Sequence, residues 1–76
     1  MLLASEDDLK HLRYLINGQS SDKPVSSDNA SNFYKMLFPH CAMISPYDLR
    51  RYANGEDPMP KSTYEMLVNL RLGLCD

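Results

Sequence analysis

The chain of 76 residues is long enough for one small domain, near the size at which a single hydrophobic core is only marginally stabilising. Its hydrophobic fraction of 43% and charged fraction of 24% are ordinary for a globular protein and argue against disorder of the whole chain. The formal net charge of −2 argues against a large, non-specific nucleic-acid surface. Any basic face must therefore be local, and its available contributors are Lys35, Arg50, Arg51 and Lys61.

The sequence lacks the patterns that are typical of membrane, disulfide and metal proteins. No run of about 18 apolar residues is present, and Met1 to Ser5 lacks the basic region of a signal peptide, so we expect a cytoplasmic protein without membrane contact. Cys41 and Cys75 are too few for a disulfide framework, and His40–Cys41 has no second pair at metal-ligand spacing. We therefore expect free, partly buried thiols, no metal and no cofactor.

The first predicted helix covers residues 6–17. Ser5 is a suitable N-cap, and the three acids that follow it face the positive end of the helix dipole. Gly18 is suited to end the helix in the left-handed conformation. The apolar stripe of this helix consists of Leu9, Leu12, Leu15 and Ile16. The polar segment 19–27, which contains four serines and a Lys–Pro step, is predicted to be a loop.

The second predicted helix covers residues 29–38, with Ser27 or Asp28 as its cap and Pro39 at its end. Met36 and Phe38 widen its apolar surface beyond one stripe. This pattern indicates a helix that is packed on more than one side, and an exposed partner-binding face is the alternative. The predicted inward residues are Ala30, Phe33, Tyr34 and Leu37, and the apolar connection 39–44 is expected to lie against the core.

The third predicted helix, residues 46–54, contains the chain's only adjacent pair of arginines. Ser45 can cap it, Pro46 suits the first helical position, and Asp48 meets the positive end of the helix dipole. Gly55 can close the helix in the left-handed conformation. The apolar face consists of Leu49, Tyr52 and Ala53, and the opposite face carries Tyr47, Arg50, Arg51 and Asn54.

The fourth predicted helix covers residues 62–72, after a turn that contains Pro58 and Pro60. Ser62 and Glu65 match the capping box, in which each side chain pairs with the other residue's backbone N–H. No segment alternates strictly between apolar and polar residues, as a half-buried β-strand would. The sequence therefore predicts a single all-α domain of four helices.

The segment from Ser45 to Leu70 resembles the second half of the Cro/C1-type (XRE-like) helix-turn-helix family. The resemblance rests on the capped recognition helix, its aliphatic and aromatic core positions, its terminal glycine, a Pro-containing turn and the next helix. In this chain those features are Ser45, Leu49, Tyr52, Gly55, Pro58 to Pro60 and the helix containing Leu67. The chain departs from the family in the turn, because seven residues without glycine separate Leu37 from Ser45, where the family has a tight connection.

The resemblance implies a lambda-repressor-like fold and a small transcriptional regulator of the phage or mobile-element type that binds double-stranded DNA. The third helix would then enter the major groove, with an arginine fork matched to guanine. The implied DNA-binding residues are Ser45, Tyr47, Asp48, Arg50, Arg51, Asn54 and Lys61. A homodimer on a palindromic site is expected, and its candidate interface consists of Leu67, Leu70, Leu72 and Leu74.

No phosphate-binding loop, metal spacing or nucleophile motif is present, so we do not expect an enzyme. Two alternatives accompany the DNA-binding hypothesis. In the first, Arg50 and Arg51 form a solvated face that pairs with nearby acids. In the second, the chain is a protein-binding antagonist, an antirepressor or host-defence inhibitor, that uses exposed Met and aromatic residues. Those residues would be Met36, Phe38, Met43 and Met59. A contiguous positive stripe on the third helix would favour DNA, whereas an apolar or acidic patch would favour a protein partner.

Overall fold

The computed structural model describes residues 2–18, 22–38, 40 and 44–74. Within these ranges the chain forms four helices and no strand, which confirms the all-α prediction. The helices are α1 (Glu6–Asn17), α2 (Ser27–Leu37), α3 (Pro46–Ala53) and α4 (Lys61–Leu74). None of these helices is both long enough and apolar enough to span a membrane.

The helix boundaries show which local signals determine each end. Gly18 and Gly55 both adopt the left-handed conformation, with φ of 82° and 77°, and close α1 and α3 as predicted. α2 begins two residues earlier than predicted because Ser26, and not Ser27 or Asp28, accepts the capping hydrogen bond from the Asn29 N–H.

The predicted capping box at the start of α4 is wrong. The Pro60 carbonyl accepts hydrogen bonds from the N–H groups of Thr63 and Tyr64, so the helix begins at Lys61 and Ser62 lies inside its first turn. The Lys61 N–H is itself satisfied by the Leu2 carbonyl at 2.9 Å, a contact with the N-terminal segment that no local sequence pattern indicates. α4 also continues through Gly73, which does not end it.

The core lies where the four helices meet and agrees closely with the predicted inward faces. Its fully or almost fully buried side chains are Leu12, Ile16, Val25, Ala30, Phe33, Leu37, Leu49, Ala53, Met59 and Leu67. Met59 is therefore a core residue at 3% exposure, and its predicted place on a protein-binding surface is wrong. Ile44 packs partly against this core, as expected for the connection that precedes α3.

The C-terminal end of α2 is more exposed than a helix packed on several sides would be. Met36 is 48% exposed and Phe38 is 58% exposed, so the prediction of a helix packed on more than one side is wrong here, and the exposure agrees with the alternative of an exposed apolar face. The rings of Phe38 and Tyr34 contact each other with centroids 6.0 Å apart. Met43, Cys41 and Cys75, on which other predictions depended, lie outside the described residues.

Of the predicted loop 19–27, residues 22–26 are non-helical as expected, Ser27 belongs to α2, and residues 19–21 lie outside the described residues. The described part of this loop is held in place. Val25 is 2% exposed, and both its backbone N–H and its carbonyl are bonded to the side chain of Asn54 at the end of α3. Asn17 Nδ2 donates to the Lys23 carbonyl at 3.1 Å. This fixed segment places the first turn of α2 beside α3.

Candidate functional site

The outer face of α3 carries an exposed tyrosine with two guanidinium groups close to its ring. The Tyr47 side chain is 57% exposed, and the Cζ atoms of Arg50 and Arg51 each lie 5.5 Å from its ring centroid. Both distances are within the range of a cation–π interaction. The three side chains form one contiguous cluster, named here the α3 cluster, which fits the helical spacing of residues 47, 50 and 51.

The N-terminus of α3 is fixed by a capping box that uses two of the predicted DNA-binding residues. The Asp48 N–H donates to Ser45 Oγ at 3.1 Å, and the Ser45 N–H donates to Asp48 Oδ2 at 3.4 Å. Their polar atoms therefore satisfy backbone groups that the helix start leaves unpaired. Ser45 and Asp48 shape the site, and their side chains are engaged within the chain.

Arg51 is bound to the acidic turn that follows α3. Its Nε and one terminal nitrogen donate to the two carboxylate oxygens of Asp57 at 2.8 and 3.2 Å. The other terminal nitrogen donates to the Tyr47 hydroxyl at 3.2 Å and lies 3.9 Å from a Glu56 carboxylate oxygen. The Asp57 carboxylate raises the pKa of Arg51, and the Arg51 guanidinium lowers the pKa of Asp57.

Arg50 borders a cleft next to α2. It lines this cleft of about 210 Å³ together with Ser27, Ser31, Pro46 and Tyr47. Ser27 is the first residue of α2, so this cleft joins the guanidinium group to the positive end of a helix dipole. Both features favour an anion, whereas Asp28 in the same first turn opposes one. No sequence pattern indicates the contribution of Ser27 and Ser31 to this cleft.

The other two predicted contacts are not part of the α3 cluster. Asn54 Oδ1 accepts from the Val25 N–H at 2.7 Å, and Asn54 Nδ2 donates to the Val25 carbonyl at 3.1 Å. Lys61 Nζ donates to Asp8 Oδ2 at 2.6 Å, which links α4 to α1. The ion pair raises the pKa of Lys61, and Lys61 together with the Ser5 N–H lowers the pKa of Asp8.

The predicted dimer interface is divided between the core and the surface. Leu67 is fully buried in the protomer's own core, so it has no surface to offer a second copy, and Leu70 packs partly against that core. Leu72 is 58% exposed. Leu74 ends α4, and its side chain lies outside the described residues.

A second cleft of about 520 Å³ lies between α1, the segment before α2 and the turn after α3. Its lining mixes acidic and basic side chains without a dominant sign, and it consists of Glu6, Lys10, Arg13, Asp22, Pro24, Asn54 and Glu56. Arg13 spans it by donating to the Ala53 carbonyl at the end of α3 at 2.8 Å. This bond holds α1 against α3.

In the part of the chain that the structure describes, no group of three or more His, Cys, Asp or Glu residues is arranged to hold a metal ion. Comparisons of the chain with protein-family models, with curated proteins and with solved structures find no match.

Proposed function

We propose that the protein is a small DNA-binding transcriptional regulator and that the outer face of α3 is its DNA-contacting surface. The observation that carries this proposal is the exposed Tyr47 ring with the Arg50 guanidinium 5.5 Å from its centroid, next to the cleft at the first turn of α2. Guanidinium groups contact phosphates and guanine edges, and a tyrosine hydroxyl can donate to phosphate oxygens. The resemblance of residues 45–70 to the Cro/C1-type family supports the same proposal.

The dimensions of α3 suit a DNA groove. An α-helix with its side chains is roughly 10–12 Å across, which fits the B-DNA major groove of about 12 Å. The capping box fixes the start of α3, so Tyr47 in its first turn is presented on a rigid element. The cleft between Arg50 and the first turn of α2 would hold a backbone phosphate at the edge of the groove.

The contact surface in this proposal is smaller than the sequence predicts. Ser45, Asp48, Asn54 and Lys61 are assigned to capping and tertiary contacts, and Tyr47 and Arg50 to DNA. Because so small a surface contacts few phosphates, we propose that two copies act together on a palindromic site. The exposed Leu72 near the end of α4 is the residue of the predicted interface best placed for that pairing.

A titration against a pool of mixed-sequence duplexes at about 50 and 200 mM salt tests this proposal. We expect binding that weakens steeply with salt and that the double substitution Tyr47→Ala/Arg50→Ala largely abolishes. Lys10→Ala is the matched control, because it removes one exposed cation from the mixed-charge cleft. Binding that the control weakens as much as the double variant, or no binding by the folded wild-type protein at either salt, would contradict the proposal.

A protein partner is the second candidate, and a specific observation favours it. Met36 and Phe38 are exposed at the end of α2, and large apolar and aromatic side chains of this kind are enriched in protein interfaces. In this case the protein would be an antagonist of another regulator or of a host defence. Two results together would favour this function. The protein would show no DNA binding, and it would capture a protein partner in a pull-down that Phe38→Ala abolishes and Tyr47→Ala leaves intact.

A further inference from the structure

The two arginines of the α3 cluster have different partners. Every nitrogen of the Arg51 guanidinium has a partner within the chain, in Asp57, Tyr47 or Glu56. Arg50 has the Tyr47 ring beside it and faces the cleft at the first turn of α2. The sequence presents the two residues as an equivalent pair, and both are partly buried, but among the described residues only Arg51 of the two is paired with carboxylates.

We propose that the acidic turn Glu56–Asp57 withholds Arg51 from DNA phosphates, so that Arg50 is the α3 arginine that binds the DNA backbone. This inference rests on the proposed DNA-binding function and adds a regulating element to the same surface. The acidic turn thereby limits the sequence-independent attraction of the protein to DNA phosphates.

The backbone holds the acidic turn over the last turn of α3. Gly55 has a φ of 77°, a left-handed conformation that reverses the chain after the helix. The Glu56 N–H then donates to the Arg51 carbonyl at 2.9 Å, which brings residues 56 and 57 back to the arginine that they pair with. Pro58 follows directly and restricts the backbone of Asp57.

The geometry of the Arg51–Asp57 pair favours a persistent contact. The two hydrogen bonds join one edge of the planar guanidinium to both carboxylate oxygens. This bidentate arrangement makes arginine–carboxylate pairs strong. A phosphate that approached Arg51 would have to displace this fork next to a carboxylate of its own sign. The described residues that line the Arg50 cleft include no acid, so a phosphate that binds Arg50 does not have to displace a carboxylate there.

The test measures how steeply DNA affinity falls with salt in the full-length chain. In Asp57→Asn, Arg51 is released, and we expect the slope of log K against log salt to steepen by about 0.9, the value for one added phosphate contact. Between 50 and 200 mM salt this corresponds to about a 3.5-fold larger loss of affinity than in the wild type. Arg50→Ala should make the slope shallower by a similar amount, and Arg51→Ala alone should leave it near the wild-type value.

Two further variants isolate the cause. Glu65→Gln removes the same negative charge from an exposed position on α4 and should leave the slope unchanged. Adding Arg51→Ala to Asp57→Asn should return the slope to the wild-type value. An unchanged slope in folded Asp57→Asn, or a slope that Arg51→Ala lowers as much as Arg50→Ala, would overturn the inference while DNA binding itself stands.

The two proposals fail in distinguishable ways. If the folded wild-type protein shows no salt-dependent DNA binding, the proposed function is wrong, and so is the inference that the acidic turn withholds Arg51 from DNA. If Asp57→Asn does not fold, Arg51→Ala decides the inference, because its unchanged slope is expected only when Arg51 makes no phosphate contact in the wild type.

Discussion

Asn54 joins the end of α3 to the segment before α2. Its amide makes two hydrogen bonds to the backbone of Val25, a residue that is 2% exposed and 29 positions away in the chain. An asparagine beside a terminal glycine is predicted from the sequence to face solvent or a DNA backbone. Its actual partner is set by the tertiary fold, so no local pattern could reveal it.

Asn54→Ala should therefore destabilise the protein. The substitution leaves the N–H and the carbonyl of Val25 without their partner, and we expect a loss of about 1–3 kcal/mol in the free energy of unfolding. Urea denaturation of wild type and variant measures this difference. Arg50→Ala is the control, because its side chain is assigned to a ligand, and it should change stability by no more than about 0.5 kcal/mol. Equal stability of wild type and Asn54→Ala would contradict the structural role of Asn54.

At the scale of the elements, α3 and α4 show how far local signals reach. The serine at the start of α3 caps the helix as its sequence predicts, because Ser45 and Asp48 pair reciprocally within three residues. The same pattern at Ser62 and Glu65 fails, because the N-terminal segment bonds the backbone one turn earlier. The Ala4 N–H donates to the Met59 carbonyl, and the Lys61 N–H donates to the Leu2 carbonyl, both at 2.9 Å.

The two serines should therefore respond differently to the same substitution. Ser45→Ala removes a capping acceptor, and we expect a loss of about 1 kcal/mol in the free energy of unfolding. Ser62→Ala places a better helix former at an exposed position inside α4, so stability should be unchanged or higher by up to about 0.5 kcal/mol. Chemical denaturation of both variants compares the two sites directly. If Ser62→Ala destabilised the protein as much as Ser45→Ala, this account would be wrong and the predicted capping box at Ser62 would be supported.

At the scale of the whole molecule, α1 and α4 are linked by two polar contacts. Lys61 Nζ donates to Asp8 at 2.6 Å, and His11 Nδ1 lies 2.8 Å from the Tyr64 hydroxyl oxygen. The ion pair makes the stability of the fold depend on pH. The pKa of Asp8 is lower in the folded protein than its usual 3.8, so its stabilising contribution is present above pH 3.8 and is lost as pH falls through the folded pKa.

Lys61→Met should therefore destabilise the protein at neutral pH and have a smaller effect in acid. The pKa of Lys61 is raised in the folded protein, so the ion pair also loses its effect at high pH. The contribution of Lys61 to stability is complete below its usual pKa of 10.5 and is lost as pH rises through its folded pKa. Urea denaturation at pH 7 and at pH 3 measures the difference between wild type and variant. A difference that stays the same or grows at pH 3 would show that the ion pair does not contribute as described.

Whether the sequence predicts a structural feature depends on how far apart along the chain the residues that determine it lie. Helix type, the inward faces of α1 to α3 and the glycine stops of α1 and α3 depend on residues within one or two turns, and the sequence predicts them correctly. Gly73, by contrast, does not end α4. The buried position of Met59, the fixing of Val25 and the pairing of Lys61 with Asp8 depend on contacts between elements. In the α3 cluster, Tyr47, Arg50 and Arg51 were predicted to lie outside the core. The alternative in which the arginines pair with nearby acids is confirmed for Arg51, which is bound to Asp57.

The most direct test of the central claim is to map the amide chemical shifts of the protein while a mixed-sequence DNA duplex is added. If α3 is the DNA-contacting element, the largest changes will lie in residues 45–51 and in the first turn of α2. The backbone around Lys10, in the mixed-charge cleft, should change little. Changes centred on Met36 and Phe38, or spread evenly over the surface, would contradict the assignment of DNA binding to α3.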